Sequence, residues 1–351
     1  MQLRELTVAL LISREGPAGI WGPSCEASAS MAVAEINAGG GILGRRVELV
    51  IADAGSSDRT AAEAASAVVQ IDEADAVVAL VTSSARPWVS RSLGGRVPLV
   101  YTPQNEGGIS DAGAVSIGET TPAILGPSLH WLIETKRVSR FFLLGNDYIW
   151  PDRSMAVAKQ MIIDAGCAIV GQKVLPFGAN YDDRLMAEID RTHPDIVMSW
   201  LLGHETVVFN RAFAEFGLAS RILRFSSAMD ETILYGIGED YTENLFTASS
   251  YFATLRTKNN SAFLERYHTC FGETPPPANS FGESVYEGFH CFAALAQAAG
   301  NIRMADMRKN VGRVALARTA RGLQAEVAAG ASHPVFMAAA EGHDFRLMAA
   351  F

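Results

Sequence analysis

Strand-like and helix-like segments alternate along this chain, break off near residue 118 and begin again, and that pattern is the strongest constraint on its fold. Thr7–Ile12 and Arg46–Ala52 read as strands. Cys25–Ala38 reads as a helix, with Ala27, Met31, Ala34 and Ala38 on one face and Gly39 as its stop. Asp58–Asp72 reads as a second helix with Asp58 as N-cap, and Ala76–Val81, Pro87–Leu93 and Val97–Tyr101 continue the series. Such alternation implies a parallel sheet with helices on both faces, because parallel strands need crossover connections.

The second series runs through a helix at Pro122–Lys136 and a strand at Arg140–Leu144. It continues with Ser154–Ala165, Cys167–Val174, Asp182–Arg191, Ile196–Leu201, Glu205–Phe216 and Arg224–Ser226. Crossovers between the two series are expected at Gly113–Thr121 and near Phe246–Tyr251. Helices at Asn259–Phe271 and Ser280–Ala299 follow, and Pro334–Ala339 with Phe345–Ala350 read as a closing hairpin. The predicted fold class is α/β, with two doubly wound parallel-sheet lobes joined by several crossovers. The N-terminal lobe is expected to comprise residues 1–118 and 248–330, and the C-terminal lobe 119–247 and 331–351.

With 351 residues, 49% of them hydrophobic, the chain can build two cores. A net charge of −9 argues against nucleic acid or an anionic membrane surface as a direct partner. Cys25, Cys167, Cys270 and Cys291 form no C-x-x-C pair, and their spacing demands no disulfide; Cys167 reads as a buried thiol. The N-terminus carries no secretory leader pattern, so a cytoplasmic protein is expected, or alternatively a periplasmic one without its leader.

Ligands of open α/β folds bind at the carboxyl ends of the strands, so those loops hold the candidate site. After the first strand comes Ser13, and after the third Thr82-Ser83-Ser84. Tyr101, Thr102 and Gln104 follow the fourth, with Tyr101 and Thr102 expected to face the ligand. In the second series, Gly145-Asn146-Asp147-Tyr148-Ile149-Trp150-Pro151 reads as a loop offering two large aromatics, one with a hydroxyl. Gly203-His204-Glu205 and Ser226-Ser227-Ala228-Met229-Asp230 complete the set. Asp230 is read either as a partner for an ammonium group or as a helix cap.

Beyond His204 and Glu205 no base is apparent, and no nucleophile accompanies them. Gly39-Gly40-Gly41-Ile42-Leu43-Gly44 has the letters of a dinucleotide motif. It follows a helix and precedes a strand, the reverse of what phosphate binding needs. His268/Cys270 and His290/Cys291 lack zinc-ligand spacing. The expectation is a non-catalytic binding protein with no cofactor and no metal, closing on a small polar molecule.

Several segments together resemble the type I periplasmic-binding-protein-like receptors, and most closely their amide/urea branch. These are Val8–Gly16, Ala34–Arg45, Asp53-Ala54-Gly55, Tyr101 with Gln104 to Gly107, Gly145–Pro151 and Ala296–Asn301. The resemblance implies that Ser83 and Tyr148 hydrogen-bond a ligand amide in an inter-lobe cleft and that Tyr101 and Trp150 line the pocket. Thr102 and Gln104 lie in the matching loop, while Gly203-His204-Glu205 replaces a segment usually small and uncharged. It further implies a sensor of a short-chain amide, urea or related compound that regulates amidase-type gene expression through a protein partner, homo-oligomeric in some cases. The alternative is the substrate-binding protein of an ABC transporter for amides, urea or branched-chain amino acids, with a permease as partner. A ligand of about four heavy atoms can gain at most about 6 kcal/mol, a dissociation constant of roughly tens of micromolar.

Overall fold

The computed structural model describes residues 4–108, 111–316, 318–321, 327–330 and 332–351. The chain divides into two units, each assembled from three stretches. Unit 1 comprises Met1–Gln104, Gly108–Gly118 and Leu255–His333, and unit 2 comprises Asn105–Gly107, Glu119–Thr254 and Pro334–Phe351.

Unit 1 holds strands β1 (Leu6–Ile12), β2 (Val47–Asp53), β3 (Ala76–Leu80), β4 (Leu99–Tyr101) and β5 (Ala114–Ser116). They form one parallel sheet in the order β2-β1-β3-β4-β5. β1 and β3 are buried along their whole length, as expected of runs with no polar alternation. Helices α1 (Gly22–Ala38), α2 (Asp58–Gln70) and α3 (Arg86–Leu93) come from the first stretch. One face of the sheet packs on α2 and α3 through Ala9, Leu11, Ala65, Val77, Val89 and Tyr101.

The α1–β2 turn accounts for the glycine-rich segment. Gly41 has φ +77°, and a Cβ there would lie 2.0 Å from the Arg45 carbonyl oxygen, so no other residue fits. At α2 the cap is Ser57, not Asp58. Ser57 Oγ accepts the Thr60 N–H while Thr60 Oγ1 accepts the Ser57 N–H.

Unit 2 contains helices α4 (Thr121–Lys136), α5 (Ile149–Asp164), α6 (Asp183–Arg191), α7 (His204–Glu215) and α8 (Glu231–Ile237). Its strands are β6 (Arg140–Asn146), β7 (Ala168–Leu175), β8 (Ile196–Trp200), β9 (Leu223–Ser226) and β10 (Leu245–Ser249). Unit 1 resumes with α9 (Lys258–Phe271), α10 (Ser280–Ala299), α11 (Met304–Met307) and the short pair β11 (Ala315–Leu316) and β12 (Val327–Ala328). The hairpin β13 (Phe336–Glu341) and β14 (Asp344–Ala350) then returns to unit 2.

The second sheet has the order β14-β13-β10-β9-β8-β6-β7. It is parallel from β10 to β7 and antiparallel at the β13–β14 edge. Three expectations are corrected. Phe246–Ser249 is not a crossover but most of β10, and the chain leaves unit 2 only after Thr254. Its return falls at Pro334; residue 331, at the expected boundary, lies outside the described residues. Cys167 is only partly buried, because β7 is an edge strand with one side open.

Candidate ligand-binding residues at the strand ends

In unit 1 the carboxyl ends of β1 and β3 are adjacent, with Ile12 paired to Leu80. Ser13 is therefore beside the loop that begins at Val81, and both Ser13 and Ser83 are buried. The hydroxyls around Ser83 are already engaged. Thr82 Oγ1 accepts the Ala85 N–H at 3.3 Å and bonds Ser84 Oγ at 3.1 Å. Ser84 Oγ donates to Asp58 Oδ1 at 2.7 Å. Ser83 takes part in none of these bonds, and the hydroxyl bound to the backbone ahead of α3 is that of Thr82.

Tyr101 and Thr102 depart from expectation. Tyr101 is 1% exposed, lies in the core beneath α2 and α3, and donates its phenol to the Val81 carbonyl at 3.1 Å. Thr102 is wholly buried, donates to the Ala79 carbonyl at 3.2 Å, and packs its methyl group on the opposite sheet face toward Gly288 of α10. Adjacent strand residues point to opposite faces, so the pair grips both layers of unit 1 and does not converge on one point. Gln104, half-buried, ends the first stretch of the unit.

Sequence reading missed Trp21 in this unit. Its indole is 1% exposed, its ring centroid lies 4.1 Å from that of Phe281, and its N–H has no acceptor among the described residues. A buried donor without a partner costs about 1–3 kcal/mol unless something answers it.

In unit 2 the segment read as an aromatic loop is mostly not a loop. β6 runs through Asn146, α5 begins at Ile149, and only Asp147 and Tyr148 lie between them. α5 starts five residues ahead of the expected Ser154, and Pro151 stands in its first turn, where backbone N–H groups have no partner within the helix. Gly145 is required there, because a Cβ would meet Pro151 Cβ at 2.8 Å. Asn146 Oδ1 accepts the Leu202 N–H at 2.8 Å and ties the end of β6 to the end of β8. Tyr148 is the N-terminal boundary residue of α5 and half-buried; Trp150, 4% exposed, belongs to the core.

Gly203 (φ +50°) precedes α7, and His204 at the first helical position is exposed. Glu205, considered as a base, is committed elsewhere. Its Oε2 accepts the Tyr181 hydroxyl at 2.6 Å and its Oε1 the Gly178 N–H at 3.0 Å. Burial and this bond raise the Tyr181 phenol well above the usual range. Asp230 takes the capping role, accepting the Ile233 N–H at 3.1 Å.

Ser226 pairs with Ser199 at the carboxyl edge, so Ser226 and Ser227 end β9 beside the end of β8 at Trp200. Ser226 Oγ, Ser227 Oγ and Trp200 Nε1 are buried with no partner among the described residues. Ser226 and Ser227 are thus neutral hydrogen-bonding groups at the edge where open α/β sheets take ligands, while Trp200, one residue on from Ser199, faces the other side of the sheet.

The periplasmic binding protein profile matches residues 5–350. The chain belongs to that family. No curated protein matches it. Among solved structures, this periplasmic binding protein resembles the branched-chain amino acid transporter substrate-binding protein LivJ of Streptococcus pneumoniae in complex with isoleucine. The TM-score is 0.84 at 17% identity, covering 99% of this chain and 98% of that one. The solute-binding protein of an ABC transporter from Rhodopseudomonas palustris, in complex with p-hydroxybenzoic acid, gives 0.86 at 17%, covering 99% and 97%. A second R. palustris solute-binding protein, in complex with benzoate, gives 0.83 at 16%, covering 99% and 96%. These likenesses establish the fold of two α/β units with largely parallel sheets. Both the family and these neighbours are ligand-binding proteins.

Proposed function

We propose that this protein is the solute receptor of an ABC transporter, binding a small polar molecule of the carboxylate or amide class at the strand ends. The observation that carries this reading is the pair of buried, unpartnered hydroxyls at the carboxyl edge of the second sheet, Ser226 Oγ and Ser227 Oγ. Neutral donors suit a carboxylate or amide oxygen, which accepts several hydrogen bonds at once. Isoleucine, p-hydroxybenzoic acid and benzoate in the similar proteins all carry a carboxyl group. All three are solute-binding proteins of transporters, which favours transport over the amide-sensing reading. A permease is the partner of such a receptor, and a location outside the cytoplasm belongs to the same proposal.

A thermal-shift panel of isoleucine, 4-hydroxybenzoate, acetamide and urea tests it, since a ligand that binds only the folded state raises its melting temperature by mass action. Ser83→Ala and Ser226→Ala are each expected to weaken binding by about 1 kcal/mol, roughly fivefold. A ligand held with unchanged affinity by both variants would move the site away from these strand ends.

A further inference from the structure

A second feature of unit 2 concerns the body of the ligand rather than its polar group. Phe177 follows the end of β7 in the segment Pro176-Phe177-Gly178, at the same carboxyl edge as Tyr148. The residue is 44% exposed, yet its ring packs on Tyr148 with centroids 5.3 Å apart and planes at 36°. Tyr148 in turn lies 6.2 Å from buried Trp150. Three aromatic rings thus form a stepped wall, buried at one end and open at the other. A single exposed phenylalanine would carry no meaning. Here the segment that presents it is also fixed: the buried carboxylate of Glu205 receives the N–H of Gly178 and the hydroxyl of Tyr181, the residues just beyond the ring. Charge-assisted bonds of this kind hold a short loop in one position, and a wall fixed before the ligand arrives loses less entropy on binding.

Resting on the receptor reading above, we infer that Phe177 and Tyr148 form the specificity wall of the site, that Glu205 is its positioning residue, and that the preferred ligand is a small aromatic carboxylate. A flat ring can meet such a wall offset or edge-on at centroid separations of about 4.5–7 Å. An aliphatic side chain gains only area there.

Isothermal titration of the full chain with benzoate, 4-hydroxybenzoate, isoleucine and acetamide tests this. The benzoates are expected to bind most tightly. Phe177→Ala is expected to weaken them by about tenfold while leaving the ligands without a ring unchanged. Glu205→Gln and Tyr181→Phe should weaken the benzoates in the same direction, with far-ultraviolet circular dichroism confirming that each variant is folded. Tight binding of isoleucine or acetamide with no response to Phe177→Ala overturns the aromatic preference and leaves the receptor reading standing. Failure of every compound in the panel to bind overturns both.

Discussion

Glu231 stands at the first position of α8 with its carboxyl wholly buried; Oε1 accepts the Ala253 N–H at 2.6 Å, and Oε2 has no partner among the described residues. Burial, with the nearby charge of Asp230 adding to it, raises its pKa from 4.5 to about 8. Between those two values the folded protein keeps a proton that the unfolded chain releases, so stability falls as pH rises through this window. Glu231→Gln removes the titration. The variant should match the wild type at about pH 5 and exceed it by about 2 kcal/mol or more at about pH 8.5, measured by urea unfolding. Equal pH dependence in the two proteins would refute the assignment. At this scale the sequence carried residue type but not commitment. Ser83, Tyr101 and Glu205 all stand at or just after strand ends and all looked available, yet only the fold shows the phenol of Tyr101 donated to a carbonyl and Glu205 locked to Tyr181. Phe177 had a signal, an aromatic in a Pro-Phe-Gly turn after a strand, but nothing in sequence placed it against Tyr148.

At the level of elements, α10 carries a buried ion group that secures the segment after β11. Arg321 Nε lies 2.8 Å from Glu283 Oε2, and its Nη2 lies 2.8 Å from Glu287 Oε1. Thr319 Oγ1 donates to Glu287 Oε2 at 2.7 Å. Burial alone would raise the Glu287 pKa, but the charge of Arg321, with His333 beside it, holds it far below the ordinary carboxylate range. Arg321→Met leaves two buried carboxylates without their cation and should cost about 3–5 kcal/mol in chemical unfolding. A loss under about 1 kcal/mol would show that water reaches the cluster. Helix and strand identities were legible because apolar periodicity is local, and α10 was bounded from sequence as Ser280–Ala299, as found. The start of α5 was not, since Pro151 breaks a helix interior but not a first turn.

On the scale of the whole molecule, each unit is discontinuous in sequence, so no single cut isolates it. Residues 1–118 supply the first sheet and α1–α3, but α10 comes from the third stretch and buries Phe281, Val285, Tyr286, Phe289, Phe292 and Leu295. At about 2 kcal/mol for each large side chain, this helix contributes burial comparable to the whole stability of an ordinary domain, about 5–15 kcal/mol. A fragment of residues 1–118 should therefore show no cooperative unfolding transition by circular dichroism. The same fragment joined through a short linker to residues 255–333 should show one. A cooperative transition in the short fragment would mean that α10 is dispensable.

By itself the sequence determined the alternation of strands and helices and the existence of two α/β series, because periodicity and turn chemistry act over a few residues; the family rested on the resemblance of particular segments, which the profile match bears out without the amide/urea branch. Only the tertiary structure decided that β10 belongs to the second sheet and that Tyr101 and Thr102 face opposite layers of unit 1. It also decided which strand-end hydroxyls are engaged and which are unpartnered. The physical reason is that a hydrogen bond or a buried face is settled by partners distant in the chain, and a linear pattern holds no record of which distant groups meet.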